Sequence, residues 1–129
     1  MLKGEYWWLG VWAAALAWAA NRFLLSFLKF NTILWGPLWE ETLKTGLALA
    51  WGAQPVLVHI TFGLVEGFSE LCQGKVGPAA AAVAGHSLFG AVASLVWQIS
   101  GQAILAWLGG LFPHLAWNAV IFFLHRKPW

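Results

Sequence analysis

The stretch PLWEETLK, residues 37–44, sets two adjacent carboxylates, Glu40 and Glu41, one helical turn before Lys44. The chain has only five acidic residues, and two of them fall here. Glu66, His86, His114 and Asn118 follow at long intervals, each within an otherwise apolar run. Carboxylate, imidazole and amide are the groups of a hydrolytic site. Removal from water makes a carboxylate a stronger base, which brings it toward the range where it can take a proton from water at neutral pH. Glu40 or Glu41 is the candidate base. Glu66 or His86 would hold the water or pass a proton to a leaving amine. His114 and Asn118, four residues apart, would donate hydrogen bonds to a developing oxyanion. No serine or cysteine nucleophile accompanies a base: Ser87 adjoins His86 but faces elsewhere on a helix, and Cys72 lies at the end of a segment. Attack by water is therefore expected, without an acyl-enzyme.

The elements that must position these groups are read from composition. The chain has 129 residues, 60% of them hydrophobic and 9% charged, with a mean hydropathy of +0.70. A soluble domain carries about 25% charged residues, and the supply here could not cover a water-facing surface. The class is integral membrane protein, all-α, in a single transmembrane domain. Eleven tryptophans suit membrane–water interfaces. The lone Cys72 excludes an intrachain disulfide and a cysteine metal cluster. A net charge of +2 with no basic run argues against nucleic acid as a partner. Residues 7–20 look like a signal-peptide core, but no cleavage region follows and the apolar run continues past Arg22, so a retained span is expected.

Breaks at Asn31-Thr32, Gly52 to Pro55, Gln73 to Pro78 and Ser100-Gly101 leave five apolar segments, near 5–29, 33–51, 55–72, 78–98 and 102–125. Backbone amides cannot stay unpaired in lipid, so these are helices. Short loops make successive helices antiparallel. Gly63-x-x-x-Gly67 and the run Ala79–Ala82 are small-residue faces where helices can approach closely. Pro37 is expected to start a helix, placing both glutamates near a positive dipole end. Pro113 and Gly109-Gly110 should loosen the fifth helix. Lys29, Lys75, Arg126 and Lys127 fall on the side opposite the N-terminus, where only Lys3 counts against them. The positive-inside rule then gives an outside N-terminus and a cytoplasmic C-terminus; the plasma membrane of a prokaryote is the expected location.

Counted from the cytoplasmic end of its own span, each polar residue lies at a similar depth. Glu40 and Glu41 are about 10–12 Å in, Glu66 about 9 Å, His86 about 12 Å, Asn118 about 10 Å and His114 about 16 Å. Buried ionisable groups must face protein or water. Lys44 can pair with one glutamate and hold it ionised, while the other points about 100° round the helix. Phe62 and Glu66 share one face, as do His114 and Asn118.

Four motifs in order, Glu40-Glu41-x-x-Lys44, Phe62-Gly-x-x-Glu66, His86 within GHSLFGA and His114-x-x-x-Asn118 within HLAWN, resemble the PrsW family. That family belongs to the glutamate-dependent intramembrane proteases, which include the CAAX prenyl endopeptidases. The resemblance runs from about Pro37 to Phe123, roughly two thirds of the chain. It implies cleavage of a membrane-embedded or membrane-tethered peptide by a glutamate-activated water, with lipid as the surroundings and no cofactor.

Plainer readings stand beside this one. Glu40, Glu41 and Lys44 can be a structural ion pair, Glu66 and Glu70 interfacial snorkelling residues, and His86, His114 and Asn118 interhelical glue. His59 lies outside the common layer and is read as structural. Zinc held by Glu41, Glu66, His86 and His114 is the alternative chemistry, although no HExxH is present. A proton-coupled or cation transporter is a further alternative. It needs polar residues through the whole thickness, and the non-cytoplasmic half has only His59. A scaffold without catalysis is the last. Oligomeric state is left open.

Overall fold

The computed structural model describes residues 6–27 and 32–125. Among these residues there are five α-helices and no strand: α1 (Trp7–Phe27), α2 (Thr32–Ala50), α3 (Pro55–Cys72), α4 (Val76–Ser100) and α5 (Ala103–His125). The all-α expectation holds, and the third segment has the bounds read from sequence. Lys3, Lys29, Arg126 and Lys127, on which the orientation rests, lie outside the described residues, as does Asn31.

Pro37 does not start a helix. It sits inside α2, which begins five residues earlier at Thr32. A proline this close to a helix start removes only the hydrogen bond to the residue 33 carbonyl, within the first turns, and so the helix runs through. Glu40 and Glu41 therefore lie in the third turn, away from the positive end of the dipole. Pro113 is likewise inside an uninterrupted α5.

The most extensive packing is of α3 on α4; α4 also packs on α5, α5 on α2, α2 on α1 and α1 on α3, which closes a ring, and α2 touches α3 across it. The apolar core lies among α1, α2 and α3, where Leu9, Ala13, Ala17, Ala48, Val58 and Phe62 are buried. The two small-residue faces meet each other. A Cβ at Gly63 would stand 3.1 Å from the Ala82 carbonyl oxygen, and one at Gly67 would stand 2.9 Å from Val83 Cγ2 and 3.1 Å from the Ala79 carbonyl oxygen. Gly67→Val is therefore expected to lower stability by about 1–3 kcal/mol through overpacking, read as a lower unfolding midpoint in detergent. An unchanged midpoint would mean that α3 and α4 part freely.

α3, α4 and α5 are long and apolar enough to cross a membrane by length and composition. Large apolar side chains such as Phe68, Ile99, Phe112 and Phe123 point outward, as contact with lipid requires. α2 reads as less apolar because it carries Glu40, Glu41 and Lys44, and these side chains turn inward: Glu41 and Lys44 are fully buried.

Candidate active site

The two adjacent glutamates have different surroundings. The helical advance of about 100° per residue sends them to different sides of α2. Glu41 is completely buried, and its Oε1 lies 2.7 Å from Lys44 Nζ and 2.8 Å from His114 Nδ1. Glu40 keeps 15% of its side chain exposed, and its contacts are long: 3.8 Å from Oε2 to Lys44 Nζ, 3.8 Å from Oε2 to His114 Nε2, and 3.5 Å from Oε1 to Asn21 Nδ2. Lys44 thus takes its closer partner three residues away, at Glu41, and not four residues away at Glu40.

Lys44 also organises the histidine on α4. Its ammonium can only donate, so His86 Nδ1, 2.9 Å away, must accept. His86 Nε2 then carries the hydrogen and donates to Glu66 Oε2 at 2.5 Å. A charged Lys44 beside Glu41 favours the carboxylate there, which can only accept. His114 Nδ1 is accordingly the donor in that pair, and in the neutral ring Nε2 keeps its lone pair, facing Glu40. Aromatic walls hold both imidazoles. Phe62 meets His86 edge-on at 4.8 Å and lies 4.5 Å from Lys44 Nζ, and Phe89 stacks on His114 at 4.7 Å.

A cavity of about 550 Å³ opens on this cluster among α2, α3, α4 and α5. Glu40, Glu66, His86, His114 and Asn118 all line it, together with the small residues Gly77, Ala81 and Gly85 of α4. Glu41 and Lys44 lie behind that surface. Ser87 donates to the Val83 carbonyl along its own helix, and Cys72 is exposed at the end of α3. Glu70 pairs with Lys75 at 3.4 Å near the α3–α4 turn.

Three features escape the sequence reading. His59 is not remote: its Nε2 lies 3.4 Å from Glu41 Oε2 and 3.2 Å from Thr45 Oγ1. Thr45 was signalled by its i,i+4 spacing from Glu41, which puts both on one face of α2. Asn21 of α1 reaches Glu40, and its signal was an amide inside an apolar span. Gly110 has a different role from the one its sequence suggests. A Cβ there would stand 2.5 Å from Glu41 Oε2, so glycine admits the carboxylate against α5.

Glu40, His86 and His114 each bring one potential metal donor atom within 4.8 Å of the others. The hydrogen-bond pattern limits that set. Glu41 Oε1 is already held by Lys44 and His114, and His86 has its lone pair on Lys44 and its hydrogen on Glu66. Glu40 and His114 Nε2 are left, one short of the three protein ligands usual for catalytic zinc. Comparison with protein families, curated proteins and solved structures finds no match for this chain.

Proposed function

We propose that this protein is an intramembrane endopeptidase of the glutamate type, related to the PrsW family, with all five helices crossing the membrane and the C-terminus cytoplasmic. The observation that carries the proposal is the division of labour between the glutamates. Glu40 faces a cavity with loosely held carboxylate oxygens, while Glu41 is buried and locked by Lys44 and His114.

Glu40 Oε2 and His114 Nε2, 3.8 Å apart, can together hold one water. Glu40 takes its proton as the oxygen attacks the peptide carbonyl, and returns that proton to the departing amine. His114 presents a lone pair here, so donation to the oxyanion falls to the Asn118 amide, which lines the same cavity. His86, with its hydrogen committed to Glu66, positions the wall. The substrate is a peptide within or tethered to the membrane, reaching the cavity from the end where α3 turns into α4.

The test is cleavage of a panel of tagged single-span proteins co-reconstituted with the purified protein in liposomes, with products read by mass spectrometry. Cleavage is expected, and it is expected to persist undiminished in excess chelator. Failure to cut any member, even at high enzyme ratio, argues against a peptidase; loss of cleavage on chelation, restored by zinc, replaces the glutamate mechanism with a metal one.

A further inference from the structure

Among the described residues, Glu41 Oε2 and His59 Nδ1 are buried without a hydrogen-bond partner. A buried polar group left unpaired costs about 1–3 kcal/mol, and such groups in a native fold call for an explanation. They belong to neighbouring side chains, Glu41 Oε2 and His59 Nε2 being 3.4 Å apart, and the two side chains form consecutive links of a longer chain.

From the cavity inward, Glu40 Oε2 lies 3.8 Å from His114 Nε2, and His114 Nδ1 lies 2.8 Å from Glu41 Oε1. The far oxygen of the same carboxylate, Oε2, lies 3.4 Å from His59 Nε2, which is 3.2 Å from the Thr45 hydroxyl. Thr45 borders a second cavity of about 500 Å³ between α2 and α5, widely open and mostly apolar, toward the other end of the bundle, with Thr42, Gly46 and Trp107 along it. Glu40 lies about 12 Å from the start of α2 and Thr45 about 8 Å from its end. The two cavities thus approach from opposite ends of α2, and protonatable groups bridge the interval between them.

We infer that Thr45, His59, Glu41 and His114 form a proton path joining the two cavities, so that the protein carries protons through the bundle. The steps balance without any redox change. A proton arriving from the cavity binds His114 Nε2, and the ring passes its Nδ1 hydrogen to Glu41 Oε1. Rotation of the carboxyl group carries that hydrogen to the Oε2 side. A closing of a few tenths of an ångström brings Oε2 and His59 Nε2 within ordinary hydrogen-bond distance. The proton crosses to Nε2 and leaves through the Thr45 hydroxyl to a water molecule, which the path requires to reach the second cavity from that end of the bundle. Tautomer exchange in His114 restores the start, and the reverse path follows the same steps. The charged and titratable groups around the path are Lys44 and Glu40 from α2, and His86 from α4. Lys44 lies 2.7 Å from Glu41 Oε1, the oxygen that receives the proton first. The one-sided polar layer that argued against a pathway in the sequence therefore extends further than its residue depths suggested.

The path shares Glu41 and His114 with the peptidase reading and parts from it at His59 and Thr45, which proton transfer uses and cleavage does not. The experiment reconstitutes the whole protein into phosphatidylcholine–phosphatidylglycerol vesicles loaded with a pH-sensitive dye, with a potassium diffusion potential set by valinomycin. Internal pH should change faster than in protein-free vesicles. His59→Phe and Thr45→Val should return the rate to the protein-free level while Thr45→Ser retains it, all three variants being checked for helicity and monodispersity. Because Thr45→Val removes only a hydroxyl, it carries the test if His59→Phe does not fold. A wild-type rate equal to that of empty vesicles overturns the inference, as does an undiminished rate in folded Thr45→Val.

Discussion

Glu40→Gln should leave a folded protein that no longer cleaves, with the rate down by about 10²–10⁴-fold, the range for loss of a positioned general base. The amide keeps the size of the carboxyl but cannot take a proton from water. Folding should barely notice, because every contact of Glu40 is long: 3.5 Å to Asn21 and 3.8 Å to each of Lys44 and His114. A stability change within about 0.5 kcal/mol is expected, because the amide keeps the carboxyl's shape and no strong hydrogen bond is lost, seen as an unfolding midpoint close to that of the wild type in the same detergent. A variant that cleaves at the wild-type rate removes Glu40 from the chemistry. A variant that fails to fold shows that the carboxylate holds the helices together.

Lys44→Met should act in the opposite way, through stability. The ammonium lies 2.7 Å from Glu41 Oε1, 2.9 Å from His86 Nδ1 and 4.5 Å from the Phe62 ring, with no solvent exposure. Methionine fills a similar volume and leaves a buried carboxylate with only the imidazoles of His114 and His59 to answer it. Removing one partner of a buried pair destabilises by about 3–5 kcal/mol, because the remaining charge is uncompensated. Changing Glu41 to Gln in the same chain should recover much of this loss, since the stranded charge is then gone, and a double-mutant cycle measures the coupling directly. If Lys44→Met melts at the wild-type midpoint, the ion pair contributes nothing to the fold. The change should also free His86 Nδ1 to carry a hydrogen, so that the ring can present a lone pair at Nε2.

The helices were legible because apolar runs and polar breaks follow directly from the solvent requirement of the backbone, and the third segment matched its bounds, Pro55–Cys72. Depth counting also drew Glu40, Glu66, His86, His114 and Asn118 to one level, and all five line a single cavity. It failed for His59. That residue lies about 20 Å from the end of its helix, against about 12 Å for Glu40. A count along helix axes ignores the reach of side chains across the bundle, and His59 and Glu41 close the gap with theirs. The choice of Lys44's partner was not legible either. Positions three and four residues away on a helix are both within reach, and only packing against α5 decides between them. Gly110 illustrates the same limit: a glycine in a sequence does not say whether it bends its helix or makes room for a neighbour.

Three ties run along successive turns of α5 to α2. Trp107 Nε1 donates to Thr42 Oγ1 at 3.1 Å, Gly110 lies flush against the Glu41 carboxylate, and His114 Nδ1 binds the same carboxylate at 2.8 Å. On the opposite side, Gly63 and Gly67 seat α3 directly against α4. α2 and α5 are thus tied along three turns and α3 and α4 along a small-residue seam, and the two pairs meet both in the packing of α4 on α5 and at the Lys44–His86 contact. A guest that widens the chamber has to work against both joints, so its arrival would be felt at the imidazole that the ammonium holds.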